Sequence, residues 1–191
     1  MTENLHKVFL SFHHGNRETD AKCGLFWKDK FEALFHKHYS AIISRSVKVG
    51  DIKSGLLTET TRQIIRDKYI AEASVTIVLI GPETWKRKHV DWEISSSIKK
   101  TEKNPRCGLL GILLPTYKGK TSENNLYNPK TIPPRLYKNI EKGYASIHKW
   151  NEDPKVINKW VHEALKRRNL TPDNSYTLFG QNRKQNKKEW Q

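Results

Sequence analysis

Ser74-Val75-Thr76-Ile77-Val78-Leu79-Ile80 runs directly into Gly81-Pro82. The run is rich in β-branched residues and is apolar on both faces that a strand presents. A central strand of a parallel sheet, covered by helices on either side, needs that pattern. Gly81-Pro82 stops it, because proline has no N–H to give to a ladder. Downstream, Cys107-Gly108-Leu109-Leu110-Gly111-Ile112-Leu113-Leu114 repeats the doubly apolar pattern and ends at Pro115. Upstream, Lys7-Val8-Phe9-Leu10-Ser11-Phe12 is a third short apolar run, bounded by His13-His14-Gly15-Asn16. Ala41-Ile42-Ile43 and Tyr144–His148 are weaker strand candidates.

Helical periodicity fills the gaps. Trp27, Phe31, Leu34 and Phe35 predict an amphipathic helix over 23–38. Gly50-Asp51 punctuates the chain, and Leu57, Ile64 and Ile65 suggest a second helix. Val90, Ile94 and Ile98 mark a third, residues 135–142 a short fourth, and Val156, Ile157, Trp160, Val161, Ala164 and Leu165 a clear last one. Residues 116–134 read as loop. Strands alternating with helices imply right-handed βαβ units and a parallel α/β sheet. About five strands point to the flavodoxin-like order 2-1-3-4-5, whose ligands bind beyond the strand carboxyl ends where the winding reverses. That crevice falls between the loop after Phe12 and the loop after Ile80. The expected organisation is one domain over 1–168 and a basic tail over 169–191, dispensable for the fold because it has no periodic apolar face.

The composition sets limits. Of 191 residues 36% are hydrophobic, and the formal net charge is +15; mean hydropathy is −0.78. No apolar run approaches the ~20 residues of a membrane helix, and residues 1–7 lack the apolar stretch of a signal peptide. Cys23 and Cys107 sit in no CxxC or Cys/His cluster, so they read as reduced structural thiols of a cytoplasmic protein. The basic excess attracts anions: nucleic acid, membrane surface or nucleotide phosphates. Its scattered distribution reads first as a solvated surface.

Familiar catalytic words are missing. There is no GxGxxG, GxxxxGK[ST], HExxH or GxSxG. His36 and His38 face different ways on a helix, as do His13 and His14 at a strand end, so no metal is expected. Asp91 and Glu93 on a basic chain suggest a nuclease, but the nearest lysine is Lys99 and the expectation is against it. At 100° per residue, Val90, Ile94, Ser97 and Ile98 share the buried face of the third helix. Glu93 falls at the edge of that face beside Ser97, leaning toward the crevice, while Trp92 points nearly opposite. A first-turn acid favoured by the helix dipole is the plainer reading of Glu93.

Two separated words decide further. Lys7–His14, Lys-Val-Phe-Leu-Ser-Phe-His-His, and Val78–Ile98, Val-Leu-Ile-Gly-Pro-Glu-Thr-Trp-Lys-Arg-Lys-His-Val-Asp-Trp-Glu-Ile-Ser-Ser-Ser-Ile, stand in order on the first and third strands and the following helix. Together they resemble the TIR-like family of the Thoeris anti-phage defence system, over roughly residues 7–115. The resemblance implies an enzyme that cleaves the nicotinamide–ribose bond of NAD, with NAD as substrate and no cofactor. It places the catalytic glutamate on Glu93 and substrate-binding positions at Ser11, Phe12, His13 and Trp85, with Phe12 as a core residue and His13 as a satisfied loop residue the alternative readings of those two. It also implies a product, a cyclic ADP-ribose isomer or ADP-ribose conjugate, that signals to an effector protein after an unidentified phage trigger. A homo-oligomer is compatible with it; membrane and nucleic-acid partners are not expected. The family commonly has Trp four residues before the Glu, where this chain has His89. A non-catalytic adaptor and a basic nucleic-acid-binding module are the alternatives.

Overall fold

In the computed structural model, residues 6–14, 24–38, 42–45, 56–101, 105–119, 126–184 and 188–190 are described. Cys23, Gly15-Asn16 and Gly50-Asp51 lie outside them. The strands are β1 (His6–Phe12), β2 (Ile42–Arg45), β3 (Val75–Ile80), β4 (Gly108–Leu113) and β5 (Ala145–Lys149). Between them lie α1 (Leu25–His38), α2 (Thr58–Ile64, prolonged by a π-helical turn over Ile65–Ile70), α3 (Lys88–Ser97), α4 (Pro134–Glu141) and, last, α5 (Pro154–Arg167). The five strands form one parallel sheet in the order β2-β1-β3-β4-β5.

The doubly apolar reading of β3 has a direct structural cause. Val75, Ile77 and Leu79 join a core with Phe31 and Phe35 of α1 and Ile157, Val161 and Ala164 of α5. Val78 and Ile80 join a second core with Val90 and Ile94 of α3 and Leu136 of α4. Successive side chains therefore enter opposite layers, as a pleated strand dictates. The same alternation sends Val8, Leu10 and Phe12 of β1 to the α1/α5 layer, while Phe9 packs with Trp92 on the other side. Ser11 thus faces α3. Gly108 is required where α5 crosses β4: a Cβ there would lie 2.2 Å from the Ala164 carbonyl oxygen. No helix among the described residues is long and apolar enough to cross a membrane.

The segment after residue 168 departs from the expected loose tail. Phe179 is buried and its N–H donates to Asp91 Oδ2 at 3.0 Å. Its carbonyl accepts from Trp92 Nε1 at 2.8 Å. Asn139 and Asp173 exchange backbone and side-chain bonds at 2.7 and 2.9 Å. Trp190 Nε1 donates to the carbonyls of Pro129 and Ile132. Hydrophobic periodicity cannot report such a strap, because backbone and polar groups hold it rather than a repeating apolar face.

Candidate functional site

β1 and β3 run side by side with Ser11 paired to Val78 and Phe12 to Leu79. β1 leads toward α1 in one layer and β3 toward α3 in the other, so their exits diverge and open a crevice. The exit of β3 is shaped by Thr84, whose Oγ1 accepts from Gly81 N–H at 2.9 Å and donates to the Leu79 carbonyl at 3.3 Å. Here lies a cleft of about 330 Å³, part of it open to solvent, lined by His13, Gly24, Leu79, Gly81, Pro82, Glu83, Thr84 and Leu114. Gly24 brings the start of α1 against the end of β1; a Cβ there would fall 1.6 Å from the His13 carbonyl oxygen.

Helix α3 supplies the acid. Its N-cap residue, Arg87, makes no side-chain cap bond. Asn182 of the C-terminal strap does that work instead, accepting from Lys88 N–H at 2.9 Å. The first-turn acid of α3 is Asp91, and it is committed elsewhere. Asp91 Oδ1 accepts from Arg135 Nε at 2.9 Å, both side chains being almost fully buried. A carboxylate held this way offers nothing to a metal, which removes one leg of the nuclease reading.

Glu93 is 3% exposed. Ser11 Oγ donates to its Oε2 at 2.6 Å, across the gap between β1 and α3. Burial pushes the Glu93 carboxyl up to about 8, with the Ser11 hydrogen bond opposing the shift. Near pH 7 the resting group is therefore mostly a neutral acid. One turn earlier, His89 Nε2 lies 3.2 Å from the Phe12 carbonyl, which accepts from it. The His89 ring stands 6.3 Å from His13 and 5.9 Å from His14. Burial lowers both His13 and His89 to about 4; Arg87 and His14 add to the shift at His13, and at His89 the bond to the Phe12 carbonyl opposes it while His14, His13 and Arg87 add to it. Both imidazoles are neutral near pH 7.

The residues singled out in the sequence are only partly brought together. Ser11 touches Glu93 directly, and His13 lines the cleft. Phe12 is a core residue at 2% exposure, its ring centroid 4.4 Å from that of His14. It reaches the site through its carbonyl rather than its ring. Trp85 is buried under two cations, with Lys86 Nζ 5.2 Å and Arg183 Cζ 6.0 Å from its ring, and is not among the cleft-lining residues. Trp92, expected to point nearly opposite the buried face, is itself buried in a cluster with Phe9 of β1, Ile65 and Ile70, and the strap covers its Nε1. Gly24, Glu83, Thr84 and Asn182 were not singled out. Thr84, three residues after Gly81, is the one with a local signal, a hydroxyl placed to close a turn.

No curated protein matches this chain. A protein family does, and the match spans β1, α1, α2, β3, α3 and β4, including both sides of the Ser11–Glu93 contact. Over residues 9–118, more than half its length, the chain matches the family described as Thoeris protein ThsB, TIR-like domain, and it belongs to that family.

Proposed function

We propose that this protein cleaves the nicotinamide–ribose bond of NAD in anti-phage defence, and that the ADP-ribose part leaves as a cyclic isomer or a conjugate that signals to a separate effector. The reading rests on one observation: a buried carboxyl, Glu93, held by Ser11 beside the strand crossover where such sheets bind ligands. Loss of nicotinamide takes the bonding electron pair with the ring and leaves an oxocarbenium-like ribose, as in glycoside hydrolysis. A carboxylate bonded to the ribose hydroxyls orients the sugar and stabilises the charge as it develops. The pyridinium of NAD is itself a cation, and an opposite charge nearby favours the ionised acid. Substrate entry therefore drives Glu93 from the neutral acid to the working carboxylate. His13 and the Gly81–Thr84 turn form the wall against which the nucleotide lies. NAD is substrate, no cofactor takes part, and the setting is the cytoplasm of an infected cell.

A second reading is favoured by the closure of Glu93, which does not line the cleft. In it the chain is a non-catalytic adaptor acting through protein contacts. Incubation with NAD, with and without lysate of phage-infected cells, separates the two by mass spectrometry. Nicotinamide and an ADP-ribose derivative are expected. Intact NAD in both arms supports the adaptor.

A further inference from the structure

The C-terminal strap builds a second groove, remote in sequence from the first. It measures about 800 Å³, part of it open to solvent, and is lined by Lys138 of α4 and by Ser175, Tyr176, Thr177, Phe179 and Arg183 of the strap. Arg183 is held in place before any ligand arrives. Its Cζ lies 4.5 Å from the Phe179 ring, its Nη2 donates to Tyr176 Oη at 2.7 Å, and its backbone N–H donates to the Lys86 carbonyl at 2.8 Å. Its Nε, by contrast, is buried with no hydrogen-bond partner among the described residues. Among those residues, neither Arg183 nor Lys138 belongs to an ion pair. The Asp173 carboxylate feels Lys138 and Lys142, yet it is occupied by the N–H and hydroxyl of Ser175. Thr177 adds an exposed hydroxyl.

A fixed guanidinium, a lysine and a hydroxyl around one concavity make a donor set for phosphoryl oxygens. We propose that this groove binds the phosphate groups of a nucleotide-sized ligand, at a site separate from the cleft beside Ser11 and Glu93. Occupancy ties Lys138 of α4 to Arg183, and Arg183 is bonded to Lys86 at the entrance to α3. The ligand thus tightens the strap against the helix that carries Glu93.

Isothermal titration of the full chain tests this with inorganic pyrophosphate, ADP and uncharged adenosine. Pyrophosphate and ADP are expected to bind, adenosine not. Arg183→Gln and Lys138→Gln should each weaken pyrophosphate by about tenfold or more, while Glu93→Gln binds it as wild type does. Among the described residues the Lys138 side chain makes no bond to the strap, so that variant keeps the test valid if Arg183→Gln loosens the fold. Wild-type affinity in Lys138→Gln overturns the proposal, as does absence of binding at millimolar pyrophosphate. Equal binding of adenosine and ADP overturns the phosphate assignment. Because no turnover is read, a failure here is distinct from a failure of NAD cleavage.

Discussion

Glu93 and its neighbours pull the protein's stability in opposite directions as pH changes. The Glu93 acid rises from 4.5 to about 8 on folding. The folded state therefore holds a proton that the unfolded chain has released, and this contribution is complete below 4.5 and lost as pH climbs through about 8. His13 and His89 fall from 6.5 to about 4. Their contribution is present above 6.5 and lost as pH drops through about 4. Taken together, the three groups favour a maximum near 6.5, with an acid decline from the imidazoles and an alkaline decline from the carboxyl. Glu93→Gln is a neutral copy of the buried acid and should lose the alkaline decline, melting above wild type at pH 8.5. Thermal melts from pH 4 to 9 show this, and an unchanged alkaline limb would mean that Glu93 is ionised at rest. The same variant should lose about 10²–10³ in NAD turnover, since the charge and not the size serves the oxocarbenium-like ribose. In wild type kcat/KM should rise with pH toward about 8, where the free enzyme's carboxyl ionises. Ser11→Ala removes the hydroxyl that favours the carboxylate, so that limb should move to higher pH; a profile that stays in place would make Ser11 a bystander.

At the scale of elements, what the sequence could tell depended on whether an element is stabilised by its own pattern. β3 and β4 were legible because helices cover both faces, which buries every position and leaves Thr76 as the one polar side chain in the two strands. Replacing Val78 or Leu79 by Asp should abolish folding, because an unpaired buried charge costs several kcal/mol, roughly against the ~5–15 kcal/mol of a domain; native-like circular dichroism in either variant would contradict it. The place of Glu93 on α3 was legible too, since Val90, Ile94 and Ile98 fix the buried face and Glu93 falls at its edge. The closure of Glu93 was not legible, because it depends on Ser11 of another strand. The start of α3 was equally hidden, its capping group being Asn182, 94 residues away. The loop after β3 gave its sign through Thr84, but Trp85 looked like a pocket residue because an aromatic beside a crevice and an aromatic beneath two cations share one local sequence. Asp91 could be weighed as a nuclease-type metal ligand for the same reason: its partner, Arg135, stands 44 residues later on α4. Breaking that pair with Arg135→Met should cost about 3–5 kcal/mol by leaving a buried charge uncompensated, lowering Tm by about 10 °C at roughly 2–4 °C per kcal/mol. A loss of only a degree or two would show that the Phe179 N–H alone satisfies Asp91.

At the scale of the whole molecule, the strap joins elements that the sheet leaves separate. Asn174 accepts from Arg135 Nη1 at 2.6 Å and from Ser95 Oγ at 3.0 Å, and Arg62 Nη2 donates to the same Ser95 at 3.0 Å. One polar chain thus links α2, α3, α4 and the strap across the α3/α4 layer. Tyr176 and Phe179 add their carbonyls and ring, and Asn182 ends the chain of contacts at the first turn of α3. Ending the protein at Asn169 removes all of these together. Asp91 then loses the Phe179 N–H, Arg135 loses its bonds to Asn174 and Tyr176, Trp92 loses its acceptor, and the Lys88 N–H loses its cap. Groups left buried without partners cost about 1–3 kcal/mol each, and more when charged, so the losses at Asp91, Arg135 and Trp92, two of them charged, approach the stability of the domain. The truncated chain should therefore lose its cooperative melting transition, or melt far below wild type. A milder cut after Lys184 keeps every one of these bonds and, among the described residues, removes the contacts of Trp190 and the Asn128–Glu189 hydrogen bond, so it should fold. If the Asn169 truncation instead melts cooperatively near the wild-type temperature, the strap is an ornament and the residues beneath it are satisfied by water.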